Sequence, residues 1–200
     1  MKKERTKKLN WFKNNLKLSW DYIKDSRRFI YFTICLFVVF ILLGYFRPVY
    51  FVDIIRKMLE DIVNASQGLN TFQMIIFILE NNIKNAFIGL MVGVLFGIFP
   101  LFTLVANGYV LGFVGYYASK QAGLGVLWQL LPHGIFELPA LILALSLGVK
   151  FGMFLFYKKK KTIKEEFLYR LDRSLRVFIF IILPLLIIAG IIEGLLIGAG

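Results

Sequence analysis

Five long apolar blocks constrain the fold of this chain more than any other feature. The 200 residues are 58% hydrophobic, and a helix of about 20 apolar residues is long enough to cross the hydrocarbon layer of a membrane. Because lipid offers no hydrogen-bond partner to an exposed backbone, each block is expected to satisfy its own backbone as a helix. The sequence therefore predicts an all-α polytopic membrane protein: a compact bundle of about five transmembrane helices, with interfacial amphipathic helices beside it.

The predicted spans follow the limits of the apolar blocks. They cover residues 29–46, 71–98, 101–118, 132–157 and 177–199. All of them belong to one transmembrane domain, residues 29–200, in which residues 158–176 form a helical cytoplasmic connector. Pro100 lies between the second and third spans, where we expect it to turn the chain sharply and give a tight helical hairpin.

Two amphipathic segments lie outside the spans. In residues 1–28, apolar side chains recur near helical spacing with lysines between them. These side chains are Leu9, Phe12, Leu16, Trp20 and Ile23. A basic helix of this kind lies on an anionic membrane surface, although a flanking segment that only fixes topology would carry similar charges. Residues 49–70 repeat an amphipathic pattern, which predicts a second interfacial helix.

The basic residues predict an orientation rather than a nucleic-acid partner. The formal net charge is +12, and 18 of the 24 Lys and Arg lie in residues 1–28 and 158–176. Positive residues concentrate on the cytoplasmic side of membrane proteins, and five spans place both segments on that side. We therefore expect a multi-pass protein of the cell membrane with a cytoplasmic N-terminus, an extracytoplasmic C-terminus and no nucleic-acid partner.

Polar residues inside the apolar blocks form the candidate site. In the expected orientation they lie at a comparable depth, in the extracytoplasmic half of the second, fourth and fifth spans. They are Glu80, Asn82, Lys84, Asn85, His133, Glu137 and Glu193. A charge at the membrane centre costs about 2.5–3.5 kcal/mol on insertion scales, so these groups need partners. Glu80 and Lys84 are four residues apart on a helix and are expected to pair.

Three interpretations of this intramembrane polar cluster stay open. The groups clamp the helices together by hydrogen bonds, hold a proton or a cation, or bind a partner or a lipid headgroup from outside. His133 and Glu137 share a helical face and are the residues that would hold a metal ion, if one binds. The chain has one histidine, so it cannot supply the two-histidine zinc motif of a metalloprotease. We expect no catalytic residues, no cofactor and no enzyme activity.

Small residues at four-residue spacing predict where the helices approach closely. They are Gly89, Gly93 and Gly97 on the second span, and Asn107, Gly108 and Gly112 on the third. Lipid gives helices no hydrophobic reason to associate, so small residues act by letting backbones touch. Near the end of the fourth span, Lys150 is expected to extend its ammonium group to the membrane interface.

The chain also resembles a known family, the stage II sporulation protein M family. The resemblance is carried by Leu131-Pro132-His133-Gly134 with Glu137-Leu138-Pro139-Ala140, Glu80-Asn81-Asn82 with Asn85-Ala86, the glycines through Gly97, and Asn107-Gly108 with Gly112. The most specific of these motifs is Pro-His-Gly-x-x-Glu-x-Pro-Ala. Together the motifs span about residues 80–148.

The resemblance implies a polytopic membrane protein without assigned catalysis. In endospore formers it implies a role in engulfment, in which the protein holds peptidoglycan-remodelling partners at the septal membrane. Members also occur in organisms that do not sporulate, archaea among them, so the sporulation role does not transfer automatically.

Two functions follow as expectations. The first is a non-enzymatic membrane scaffold that organises an envelope-associated complex, with the bilayer and other membrane or envelope proteins as partners and a homo-oligomer as an open alternative. The second is a proton or cation channel or transporter that uses the glutamates and His133. The inner halves of the spans offer few polar side chains for a pathway, which favours the scaffold.

Overall fold

The apolar blocks fold as helices, and the described residues contain no strand. The computed structural model describes residues 2–156 and 162–198, with the side chains of residues 10–128, 134–156 and 162–197. In this part of the chain the α-helices are α1 (Lys2–Asp25), α2 (Arg27–Phe46), α3 (Val52–Ser66), α4 (Thr71–Met91), α5 (Ile98–Ala122), α6 (Leu131–Gly152), α7 (Ile163–Val177) and α8 (Leu183–Gly198). Short 3-10 turns cover Val92–Val94, Leu124–Leu130 and Met153–Phe156, and a π-helical turn covers Phe178–Ile182.

Within residues 2–156 and 162–198, five helical stretches are long and apolar enough to cross a membrane. They are Arg27–Phe46, Thr71–Val94, Ile98–Ala122, Gly134–Phe156 and Ile163–Ile197. This confirms the predicted all-α membrane fold and the number of spans. The fifth stretch is longer than predicted because the connector helix α7 runs through the π-helical turn into α8. Pro184 is the second residue of α8, directly after the π-helical turn, and its missing N–H removes one hydrogen bond from this continuous helix.

Helix α6 lies at the centre of the bundle. It packs against each of the other membrane-length helices, α2, α4, α5 and α8. In its apolar stretch 67% of the residues are buried, whereas no other span exceeds 39%. Ala140 and Ala144 are fully buried on this helix. Their small side chains allow several neighbours to approach one helix at the same time.

Glycines bring the backbone of α6 into direct contact with α4 and with the 3-10 turn and loop that follow α4. A Cβ atom added to Gly93 would lie 2.2 Å from the Gly148 carbonyl oxygen, and one added to Gly152 would lie 2.1 Å from the Gly97 backbone nitrogen. Gly89 meets the side chain of Leu145, one turn earlier on both helices. The residue numbers of the contacting pairs rise together on the two helices. Helices α4 and α6 therefore run parallel and in a fixed register.

The predicted hairpin between the second and third spans is wrong in two respects. The chain turns at Phe96 and Gly97, which both have positive φ (57° and 70°), and not at Pro100. Pro100 instead lies in the first turn of α5, where a missing N–H costs no helical bond. Helices α4 and α5 also make few contacts with each other, because α4 packs on α6 and α8 while α5 packs chiefly on α2.

The second group of small residues joins α5 to α2. A Cβ atom on Gly108 would lie 2.9 Å from the carbonyl oxygen of Phe37, and one on Gly112 would lie 2.0 Å from that of Ile41. Asn107 does not share this contact. It is exposed, and its side-chain nitrogen donates a hydrogen bond to the Thr103 carbonyl at 2.8 Å.

Helix α1 packs on the bundle through small and polar side chains and through part of its apolar face. Asn15, Ser19 and Tyr22 are buried where α1 lies against α7, and the Asn15 side chain accepts a hydrogen bond from Arg176. Trp20, on the apolar face that the sequence pattern identifies, is 55% exposed. Phe12 contacts the Phe180 ring at 5.6 Å between centroids, and Ile23 packs against the core. The apolar face is therefore shared between protein contacts and an uncovered part around Trp20 that suits a membrane surface.

We predict that Gly93→Ala lowers the thermal stability of the purified protein in detergent. The added methyl group would overlap the α6 backbone, and overpacking of this kind typically costs about 1–3 kcal/mol. Gly125→Ala is the matched control, because a Cβ atom there meets nothing within 4 Å. Equal melting temperatures for the two variants would contradict the backbone contact.

Candidate polar sites at the two ends of the bundle

One candidate site lies where α4, α6 and α8 meet. The Glu137 carboxyl group interacts with the Glu193 carboxyl group and with the Asn82 side chain. Glu137, Glu193 and Asn82 are each partly buried, and the Oε2 atom of Glu193 is buried completely. We call these three residues the acidic cluster. It brings together side chains from three helices that are far apart in the sequence.

The chemistry of the acidic cluster follows from its two carboxyl groups. When both carboxyl groups are ionised they repel each other, and apolar surroundings strengthen the repulsion. A shared proton, a donated hydrogen bond or a bound cation would remove it. The Asn82 side chain can supply a donated hydrogen bond. The cluster can therefore act as a clamp between helices or as a place for a proton or cation.

The other polar residues predicted for this site do not join the acidic cluster. Glu80, Lys84 and Asn85 are exposed, and the expected ion pair between Glu80 and Lys84 is not formed between these two described side chains. The reason is helical geometry. Asn82 shares the stripe of Ala86 and Gly89 that faces α6, whereas Glu80 and Lys84 lie on the far side of the helix. Asn85 lies at the edge of the stripe, and its side-chain nitrogen donates to the Asn81 side-chain oxygen at 3.4 Å.

His133 belongs to the start of α6, but its side chain lies outside the described residues. Among the described residues, no three His, Cys, Asp or Glu side chains are grouped closely enough to hold a metal ion. The described candidates for a cation near this end are therefore the carboxyl groups of Glu137 and Glu193.

A second polar cluster lies at the other end of the bundle, about 20 Å along α6 from Glu137 at 1.5 Å per residue. The Lys150 ammonium donates hydrogen bonds to the Asp25 carboxylate at 2.7 Å and to the Ser26 hydroxyl at 2.9 Å. It also lies 3.8 Å from the centre of the Tyr22 ring. Lys150 is only 6% exposed, so protein groups hold its ammonium group, directly before the start of the first membrane-length stretch at Arg27.

The Lys150 cluster has a physical reason to be buried. An ammonium group needs charge and hydrogen-bond partners when it leaves water, and the junction of α1 and α2 offers a carboxylate, a hydroxyl and an aromatic face together. Burial raises the pKa of the Tyr22 phenol well above its ordinary value, so the ring stays neutral and presents its negative face to the cation. This cluster ties α1 and α2 to α6.

A buried arginine extends the same network to α7. Arg170 is 2% exposed, and Glu166 is 7% exposed. The Arg170 Nε atom donates to the Glu166 carboxylate at 2.7 Å, and a second guanidinium nitrogen donates to the backbone carbonyl of Lys150. The sequence pattern did not identify these residues as a site. The available signal was a lysine inside an apolar block, together with Glu166 and Arg170 at the favourable i, i+4 spacing.

The fold and the two polar clusters define a multi-pass helical membrane protein whose helices are held by glycine contacts and by polar groups at both ends. The family model described as "Stage II sporulation protein M" matches residues 33–196. The chain belongs to this family. The match covers all five membrane-length helices in whole or in part, so it concerns the bundle rather than one motif.

Two archaeal proteins are similar to the chain. "Uncharacterized protein MJ0706" of Methanocaldococcus jannaschii is 35% identical over 173 residues, which cover 83% of this chain and 76% of that protein. "Uncharacterized protein MJ0793" of the same organism is 34% identical over 95 residues, which cover 44% of this chain and 53% of that protein. No solved structure matches the chain.

Proposed function

We propose that this protein is a non-enzymatic integral membrane scaffold that organises an envelope-associated complex. Family membership supports a membrane protein of a sporulation-associated family. The resemblance that leads to the scaffold role concerns sporulating organisms, so we propose the assembly role without sporulation itself. Other membrane or envelope proteins are the proposed partners, and no cofactor is required.

One observation carries this proposal: apolar side chains fill the core that connects α4, α6 and α8 between the two polar clusters. The buried residues that connect α4, α6 and α8 are Ala86, Leu90, Ala140, Ala144, Leu147, Val177, Phe178, Ile182 and Leu186, with Tyr22 at one end. A proton or cation that enters at the acidic cluster would have to pass these apolar side chains. The buried hydroxyl groups of Thr33 and Ser146, where α2 meets α6, hydrogen-bond to each other. Because desolvated charge is costly in such surroundings, this core favours a rigid frame over a pathway.

The acidic cluster then has a structural role. It connects three helices at one end of the frame, while the Lys150 cluster connects α1, α2 and α6 at the other. A bundle fixed at both ends presents its surface helices in constant positions, which is what a platform for other proteins requires. Helix α3 is such a surface element, with Ile54 68% exposed and Ile62 45% exposed.

The alternative is a proton or cation channel, and the Glu137–Glu193 contact is the observation that favours it. The substitution Glu137→Gln separates the two functions, because a channel would lose ion flux and a scaffold has no flux to lose. The amide keeps the size of the side chain and can donate a hydrogen bond to Glu193, so we expect the variant to remain folded. In liposomes loaded with a pH-sensitive dye, we expect no proton or cation flux from either the original protein or the variant.

In the native membrane, we expect Glu137→Gln to change the set of envelope proteins that co-purify after crosslinking. Glu80→Gln is the control, because it makes the same chemical change at an exposed position outside the acidic cluster. Flux that Glu137→Gln abolishes and Glu80→Gln preserves would overturn the scaffold and establish the channel. An unchanged partner set in both variants, without flux, would overturn the role assigned to the cluster.

We also propose that the protein lies in the cell membrane with a cytoplasmic N-terminus and an extracytoplasmic C-terminus. Five spans and the concentration of basic residues in 1–28 and 158–176 support this orientation. Reporter fusions within residues 158–176 are expected to be active only with a cytoplasmic reporter, and fusions after Gly200 only with an extracytoplasmic one. A cytoplasmic reporter active after Gly200 would refute the orientation.

A further inference from the structure

A large cavity lies beside the Lys150 cluster, among the α1–α2 junction, the end of α6 and α7. Its volume is about 1120 Å³, enough for a headgroup and part of an alkyl chain. Five cationic side chains line it, against two acidic ones. The cations are Lys24, Arg27, Arg28, Lys150 and Arg170, and the acids are Asp25 and Glu166.

The ion pairs around the cavity leave an excess of positive charge at its α2 side. Lys150 pairs with Asp25, and Arg170 pairs with Glu166. Arg27 and Arg28 form no ion pair with any other described residue, and both line the cavity. Each guanidinium group presents planar pairs of N–H donors, the geometry that suits phosphate oxygens.

The cavity also has an apolar wall. Phe29 and Phe32 continue along α2 from the two arginines, and Leu101 contributes from α5. Phe32 is 53% exposed, so this wall is not covered by protein. Arg27 is the first residue of the first membrane-length stretch, the level at which the polar headgroups of a bilayer meet its hydrocarbon.

We propose that this cavity binds the phosphate headgroup of an anionic membrane lipid. Arg27 and Arg28 hold the phosphate, and an alkyl chain lies along Phe29, Phe32 and Leu101. A small soluble phosphate would use only the charged half of the cavity, and the position at the start of a span favours the lipid. The inference is independent of the scaffold function, because a lipid bound here would fix the α1–α2 junction in either a scaffold or a channel.

The test uses the full chain purified in detergent, with bound lipid counted by native mass spectrometry. We expect phosphatidylglycerol to bind about tenfold more tightly than phosphatidylcholine, and the double variant Arg27→Gln/Arg28→Gln to lose most of that preference. The control is Arg56→Gln/Lys57→Gln, which removes the same charge from exposed residues of α3. We expect the control to keep the preference.

Three results would overturn the proposal. The first is equal binding of the two lipids, and the second is an equal loss of preference in the test and control variants. In the third, inorganic phosphate or glycerol phosphate displaces the lipid when it is added at the concentration at which the lipid binds. That result would mean that the site recognises phosphate without the alkyl chain. Because neither arginine holds another described residue in an ion pair, a folded double variant is expected, and its thermal melting in detergent verifies this.

Discussion

The direct contact between the backbones of α4 and α6 is the constraint on which the rest of the structure depends. Helices in lipid gain nothing from hiding apolar surface, so close association requires dispersion contacts and small residues. Gly93 and Gly152 supply them, because any side chain at either position would overlap the opposite backbone. The contact fixes the register of the two helices, and with it the height at which Asn82 meets Glu137.

Polar groups complete the frame at its ends. The acidic cluster joins α4, α6 and α8, and the Lys150 cluster joins the α1–α2 junction to α6 and, through Arg170, to α7. A buried charge stabilises a unique arrangement only when its partners are in place. Burying the Lys150 ammonium group without partners would cost free energy. Its bonds to Asp25 and Ser26 therefore specify how α1 is attached to the membrane bundle.

The sequence was sufficient for the features that depend on length and composition. Five apolar blocks predicted five spans, and the spacing of Gly89 and Gly93 predicted a close-packing face. It was not sufficient for pairings between distant segments. The partner of that face is α6 rather than α5, and the pairing of Lys150 with Asp25 was not foreseen, because both outcomes depend on which helices are neighbours. Pro100 was misplaced for a local reason: proline is as compatible with a helix start as with a turn.

The register of α4 against α6 is tested most directly by cysteine crosslinking in membranes, in a Cys35→Ser background. We predict that a short bifunctional thiol reagent crosslinks Asn82→Cys with Glu137→Cys, because the native side chains interact across α4 and α6 and the reagent spans the length that the two shorter cysteines leave open. Asn85→Cys with Glu137→Cys, three residues away on α4, is predicted to crosslink less. Crosslinking of the Asn85 pair without the Asn82 pair would contradict the register and the account built on it.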